Sequence, residues 1–275
     1  MKPEIKNAMS VDLEDWYSGM LQIKHTDWHL YEHRLERNLV MITELFDRYN
    51  IKATFFVLGY IAEKFPALIN MIAEKGHEIA SHGYNHRPVF TLTRQEFKED
   101  ALRAKKTIED ASGVKVSGYR APFFSIRKDT LWALDILKEI GFNYDSSIFP
   151  TKNFLYGIPD APHTIYRING NGLIEFPLSV VKKSGVTIPI CGGFYMRALP
   201  YKVTKWGISY FNRTKGSAVI YLHPWELDID KPKIKMKLKW KIIHEYNIHT
   251  MRRKLEQLLK DFQFATMKEV ISNGY

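Results

Sequence analysis

The chain has 275 residues, of which 45% are hydrophobic and 25% charged. That balance excludes disorder and fits either one α/β barrel or two modest domains. Its one cysteine, Cys191, excludes an intrachain disulfide, and the net charge of +10 favours anionic partners.

In chain order, IKNAMSV (5–11) reads as a buried strand, and 33–50 as a helix with Leu35, Leu39, Ile42, Leu45 and Phe46 on one face. ATFFVLG (53–59) is a strand, 61–75 a helix closed by Gly76, and HEIAS (77–81) a short strand. Residues 93–113 carry a Thr cap, early acids, later bases and a closing glycine, the marks of a helix. VSGYRAP (116–122) is a strand running into a loop, 128–141 a helix, and FNYDSS (142–147) a strand end. Residues 151–199 are rich in Gly, Pro and aromatics and read as an insertion or lid, with the strand-like LIEFPLSVV (173–181) inside it. A helix near 200–213, the strand SAVIYLH (217–223) and a long helix near 247–262 follow, the last within a C-terminal helical extension, 230–275. This repeated β-then-α order predicts a parallel sheet, open or closed into a barrel, in a single domain over 1–275.

The start, MKPEIKNAMSVDLED, has no apolar stretch of signal-peptide length, and no membrane-spanning run occurs, so a soluble, cytoplasmic protein is expected. KPKIKMKLKWK (231–241) alternates Lys with apolar residues, as an exposed strand or an extended arm with one greasy face would. It is either a solvated edge or a surface that meets anionic lipid headgroups or a lipid-linked glycan. Phosphate loops, zinc-finger spacing and RNA-binding aromatic signatures are missing, so nucleic acid is not an expected partner.

Four polar clusters fall at predicted strand ends: SVDLEDW (10–16), SHGYNH (81–86), GYRAPF (118–123) and YLHPWE (221–226). Ends on one edge of a parallel barrel converge on one mouth. His82 and His86, four apart, could there ligate a divalent cation completed by an acid of the first cluster, leaving room for water. Gly83 permits a tight backbone between them. His25, His29 and His33 repeat the spacing in a polar segment with no acid placed to complete a site. Cys191 reads as a packed side chain with no base to activate it.

Taken together, the clusters resemble those of the polysaccharide deacetylases (carbohydrate esterase family 4, the NodB homology domain). SHGYNH is similar to that family's His-x₃-His metal motif, RAPF to its Arg-x-Pro-aromatic motif and YLHP to its Leu-His-Pro motif. DLEDWY, YDSSIFP, GGFYMRALPY, YLHPWELD and the closing RRKLEQLLKDFQFATMKEVI are similar to the branch found beside exopolysaccharide loci. The resemblance implies a distorted (β/α) barrel of about seven parallel strands. It also implies metal-dependent removal of N-acetyl groups from amino sugars of a polysaccharide, oligosaccharide or lipid-linked glycan. The ion would be zinc, with cobalt or nickel as alternatives.

Where the family pattern has adjacent aspartates, base then ligand, this chain reads Asp12-Leu13-Glu14-Asp15. Asp12 takes the position of the base, and the ligand is Glu14 or Asp15. In an extended chain Glu14 shares a side with Asp12, while a twisted strand end could bring in Asp15. His82 and His86 complete the metal set. Arg120, followed by Pro122 of the same motif, would hold Asp12, and His223 would protonate the leaving amine. Asp145 is expected either to orient His223 or to cap a helix. Phe123, Tyr195 and Trp225 are candidates for a sugar platform, and Glu175, Arg197 and Glu226 for substrate contacts. Two other readings remain: an amidase of this fold acting on a non-sugar amide, and a degenerate glycan-binding protein.

Overall fold

The computed structural model describes residues 5–153, 155–168, 170–183, 185–190 and 192–274; Cys191 lies outside them. Seven elements make the first half of the sheet and its cover: β1 (Lys6–Leu13), α1 (Leu35–Arg48), β2 (Thr54–Val57), α2 (Gly59–Lys64), α3 (Pro66–Glu74), β3 (Glu78–Ser81) and α4 (Arg94–Ser112). Then come β4 (Gly118–Tyr119), α5 (Trp132–Ile140), β5 (Tyr144–Asp145), β6 (Tyr166–Arg167), β7 (Ile174–Glu175), β8 (Val180–Lys183), β9 (Val186–Pro189) and α6 (Gly193–Ala198). The chain closes with α7 (Tyr201–Thr214), β10 (Val219–Leu222), α8 (Leu238–Glu245), α9 (Met251–Asp261), β11 (Gln263–Ala265) and α10 (Met267–Gly274).

The strands β10-β1-β2-β3-β4-β5-β7 run parallel in that order, a curled half-barrel that meets the expectation of a distorted barrel of about seven strands. β6 adds antiparallel to β7, and β11 lies parallel to the start of β1. β1 is buried along nearly its whole length because side chains pack on both of its faces. Met9, Val11 and Leu13 join the outer layer under the helices, whereas Ala8, Ser10 and Asp12 alternate with them and point into the bowl. The bowl is filled by Phe56, Tyr144, Phe149, Phe176 and Tyr221.

Register fixes where the chemistry sits. Leu13 pairs with Val57, Val57 with Ser81, Ser81 with Tyr119, Tyr119 with Asp145, and Val11 with Leu222. The residues just beyond these ends, Glu14, His82, Arg120, Ser146 and His223, therefore stand around one rim.

Several elements differ from the expectation. The helix over 61–75 is two helices, because Pro66 forces Phe65 out of helical geometry (φ −132°, ψ 56°). The strand over 173–181 is split by Pro177 into β7 of the main sheet and β8 of a separate hairpin with β9. The Lys-rich arm keeps its alternation over 233–237, with Ile234 and Met236 packed on the core and the lysines exposed, then becomes helical at Leu238. α4 has the expected Thr93 capping box, with Gly113 left-handed after it. Among the described residues no helix is long and apolar enough to cross a membrane.

Candidate active site

A cavity of about 230 Å³ opens at the rim, lined by Asp12, Glu14, His82, His86 and His223 together with aromatic side chains. Asp12 comes from the inward face of β1. Its Oδ1 accepts from Arg120 Nη1 at 2.7 Å, and its Oδ2 lies 4.0 Å from His223 Nε2. Arg120 is fully buried beneath the cavity. It donates also to Ser10 Oγ (2.9 Å), Ser146 O (3.2 Å) and Ser146 Oγ (3.1 Å), with its guanidinium 4.0 Å from the Phe56 ring centroid. It is thus a positioning residue that fixes one carboxylate oxygen and leaves the other toward the cavity.

The chain turns just after β1, with Glu14 N donating to Asp12 O, and the Glu14 carboxylate enters the cavity. Asp15 does not. Its oxygens accept from Trp16 N (2.8 Å) and Arg34 N (2.9 Å), which ties the loop to the start of α1. Between the two ligand candidates, geometry therefore leaves Glu14 at the cavity and gives Asp15 a local backbone role.

The ring centroids of His82 and His86 are 5.1 Å apart. His82 Nδ1 donates to Arg120 O at 2.8 Å, so its Nε2 presents a lone pair. Burial holds His82 down to about 4 despite the charge of Asp12, and burial with the neighbouring imidazoles holds His86 well below its ordinary value. Both rings are neutral at pH 7, as ligation requires. Gly83 between them has φ +76°, and Asp100 Oδ2 accepts from Tyr84 N (2.8 Å) to pin the loop. His86 and Phe123, whose centroids lie 4.5 Å apart, both adopt left-handed backbone, as does Phe124. Strain of this kind concentrates at functional sites.

His223 follows β10. Its Nε2 is 3.1 Å from Glu14 Oε1, and its Nδ1 lies 3.1 Å from Glu226 Oε2. Burial opposes its charge, but Glu14, Glu226 and Asp12 outweigh it and push the imidazole up to about 9. Glu226 also accepts from Arg197 Nε at 2.7 Å; burial would raise its carboxyl, and the guanidinium overrides this and draws it down to about 2. The Trp225 ring stacks on His223 at 5.2 Å.

The cluster has the donors a divalent cation needs: two neutral imidazoles and a buried carboxylate. Glu14 Oε2 approaches His86 Nε2 to 3.2 Å and yet has no hydrogen-bond partner, the posture of two ligands facing one ion. Burial, opposed by His223, raises the Glu14 carboxyl to about 8, a cost that a cation would remove. Among the described residues no group of three or more His, Cys, Asp or Glu is arranged to hold a metal ion as it stands; the donors fit in kind.

Other expected residues lie elsewhere. Glu175 is fully buried outside the cavity, accepts from Ile148 N (3.0 Å) and sits beside Asp145 across the β5–β7 pair. Burial and Asp145 raise its carboxyl well above the ordinary carboxylate range, and its side chain is not among those lining the cavity. Asp145 does not reach His223. It accepts from Ser147 Oγ (2.6 Å), which in turn accepts from Ala121 N (2.8 Å), bracing the Arg120 loop. Pro122 opens the short turn after that loop. Arg197 borders the cavity with its donors spent on Glu226, Ile243 O and Tyr246 O. Phe123, Tyr195 and Trp225 do line the cavity, and Tyr195 hydroxyl meets Tyr156 hydroxyl at 3.0 Å. His25 and His29 are exposed, and His33 bonds Tyr17 and Lys64 (2.6 and 2.7 Å).

The orienting role of Glu226 was not foreseen. Its signal was present: His223 begins a short helical turn and Glu226 is its third residue, a capping-box spacing, with Glu226 Oε2 accepting from His223 N. The wall formed by Trp240, Ile243 and His244 of α8 gave no such signal.

Residues 30–144 match the family described as polysaccharide deacetylase. This stretch is a polysaccharide deacetylase domain. Residues 146–272 match a domain of unknown function, DUF3473. The chain is 31% identical over 113 residues to a peptidoglycan deacetylase of Helicobacter pylori, covering 41% of this chain and 38% of that protein. It is 25% identical over 191 residues to a peptidoglycan-N-acetylglucosamine deacetylase of Listeria monocytogenes, covering 65% and 39%. The chain thus spans about two-fifths of the length of these relatives. The fold matches the crystal structure of a polysaccharide deacetylase homologue from Mycobacterium smegmatis with a TM-score of 0.64, at 19% identity over 99% of this chain and 92% of that one.

Proposed function

We propose that this deacetylase-family chain is a metal-dependent hydrolase that removes N-acetyl groups from amino sugars of a polysaccharide, oligosaccharide or lipid-linked glycan. One observation carries the reading. A buried proton acceptor, a buried proton donor and two neutral imidazoles beside a carboxylate border one cavity. The names of the relatives supply the substrate class.

A divalent cation held by Glu14, His82 and His86, with zinc, cobalt or nickel as candidates, would supply Lewis acidity toward an acetyl carbonyl and a water. Asp12 then takes the proton of the water on Oδ2, the oxygen that Arg120 leaves open. His223 carries a proton on Nε2 and gives it to the departing sugar nitrogen, which leaves poorly as an anion. Glu226 fixes the ring through Nδ1 and sustains its charge. Phe123, Tyr195 and Trp225 offer aromatic faces to the C–H surfaces of a sugar ring.

The test is acetate release from N-acetylated amino-sugar oligomers, compared with small non-sugar amides. Asp12→Asn should fold as the parent does and lose about 10²–10⁴-fold in rate. A variant that keeps most of its rate removes Asp12 as the base. Activity that survives exhaustive chelation, or cleavage of the small amides alone, overturns the proposal.

A further inference from the structure

α8 has two faces. Trp240, Ile243 and His244 line the cavity, while Leu238 and Ile242 stand at i and i+4 on the opposite side, with Tyr246 just beyond the helix end. These three are 71%, 44% and 48% exposed, an apolar stripe with no cover from the fold. Lys239 and Lys241 flank it, and exposed Lys233, Lys235 and Lys237 precede it. Among the described residues, none of the ion pairs involves Lys233, Lys235, Lys237 or Lys241. The nearby acids are few: Glu245 is half-buried, and Asp230 faces Arg37 at 3.7 Å.

The arm is anchored. Lys231 turns inward, donates to His244 O at 2.9 Å and lies 4.1 Å over the Trp225 ring. Arg197 donates to Ile243 O and Tyr246 O, so two buried basic side chains fix the carbonyl end of α8. The greasy stripe and its lysines are therefore held outward by a rigid mount.

We infer that the outer face of α8, with the lysines of 233–241, docks on an anionic bilayer. Leu238, Ile242 and Tyr246 enter the headgroup region, and the lysines extend to lipid phosphates. Charge alone would suit a soluble polyanion equally; the aligned apolar stripe selects the bilayer. Docking sets the cavity, which Trp240 lines from the inner face of α8, one helix diameter (~10 Å) from the headgroups, a reach that suits an amino sugar carried on a lipid. That last consequence rests on the deacetylase reading, whereas the docking does not.

The experiment is co-sedimentation of the full chain with vesicles of phosphatidylcholine alone or mixed with phosphatidylglycerol, at low and physiological salt. The protein should pellet with the mixed vesicles only. Partitioning should fall at least about ten-fold both in Lys233→Glu/Lys235→Glu/Lys237→Glu and in Leu238→Ser/Ile242→Ser. Asp12→Asn should bind as the parent does, which separates docking from catalysis. Should the charge-reversed chain fail to fold, the Leu238→Ser/Ile242→Ser pair, both exposed, carries the test. A parent that stays in the supernatant at low salt overturns the inference. So does binding that the apolar replacements leave intact, which would point to a polyanion.

Discussion

Arg197 joins two parts of the site, and its removal should expose both. It is buried, donates to Glu226 at 2.7 Å and to the carbonyls of Ile243 and Tyr246 at 2.6 and 2.9 Å. In Arg197→Met, Glu226 becomes a buried carboxylate whose remaining ionic neighbour is His223, and breaking a buried pair in this way costs about 3–5 kcal/mol. The two carbonyls lose charged donors worth about 1.5–3 kcal/mol each in the most favourable case. The sum is about 5 kcal/mol or more, on the order of 10–20 °C in melting temperature for a chain of this size. Arg197→Met/Glu226→Leu removes both ions and should recover about 2 kcal/mol or more over Arg197→Met alone. Acetate release should stay low in the double variant, because His223 has then lost its partner. The assay is thermal unfolding followed by tryptophan fluorescence, with acetate release on the same samples. Arg197→Met melting within about 2 °C of the parent, under 1 kcal/mol by the same conversion, would refute the reasoning. A double variant less stable than the sum of the singles would refute it too.

Replacing His82 and His86 by Ala should abolish stoichiometric Zn²⁺ binding measured by elemental analysis, whereas replacing His25 and His29 should leave it unchanged; the opposite pattern removes the assigned site. Gly192 has φ +126°, and a Cβ there would lie 1.9 Å from Tyr221 O, so Gly192→Ala should cost at least about 3 kcal/mol in chemical denaturation, from strain and a backbone clash. His77 is held down to about 4 by burial and Lys52, while its Nδ1 accepts from Ala53 N. The unfolded chain binds a proton below pH 6.5 that the folded chain refuses until about pH 4. This contribution is therefore complete above pH 6.5 and is lost as pH falls through that window, by at most about 3 kcal/mol. His77→Gln keeps an acceptor for Ala53 and should narrow the stability difference between neutral and acid pH; an unchanged difference assigns the acid sensitivity elsewhere.

The helical faces and strand runs were legible because one physical variable, apolar periodicity, governs them. Leu35, Leu39, Ile42, Leu45 and Phe46 are all buried as α1 requires. Proline was the commonest source of error: Pro66 and Pro177 interrupt apolar runs that periodicity alone reads as continuous. At the site, the strand-end histidines were legible because they sit at the ends of short apolar runs. The choice between Glu14 and Asp15 was not, because it turns on a distant backbone donor, Arg34 N, that captures Asp15. Asp145 and Glu175 misled for a related reason. Acids at strand ends look available for substrate until the register pairs them with each other.

A deeper regularity links the residues that were found with those that were not. Asp12, Arg120 and His223 are set by three separate strands, so their relative positions depend on sheet register, which tolerates no slip without turning every side chain over. Glu226, by contrast, reaches His223 within one short turn and depends on local capping alone. The Asp12 carboxylate is therefore fixed by the whole barrel, and the His223 imidazole by the barrel together with the Arg197 clamp on α8. Displacing α8 should disturb His223 and leave the Asp12–Arg120 pair in place. That asymmetry follows from geometry, since no hydrogen bond among the described residues runs from α8 to either member of that pair.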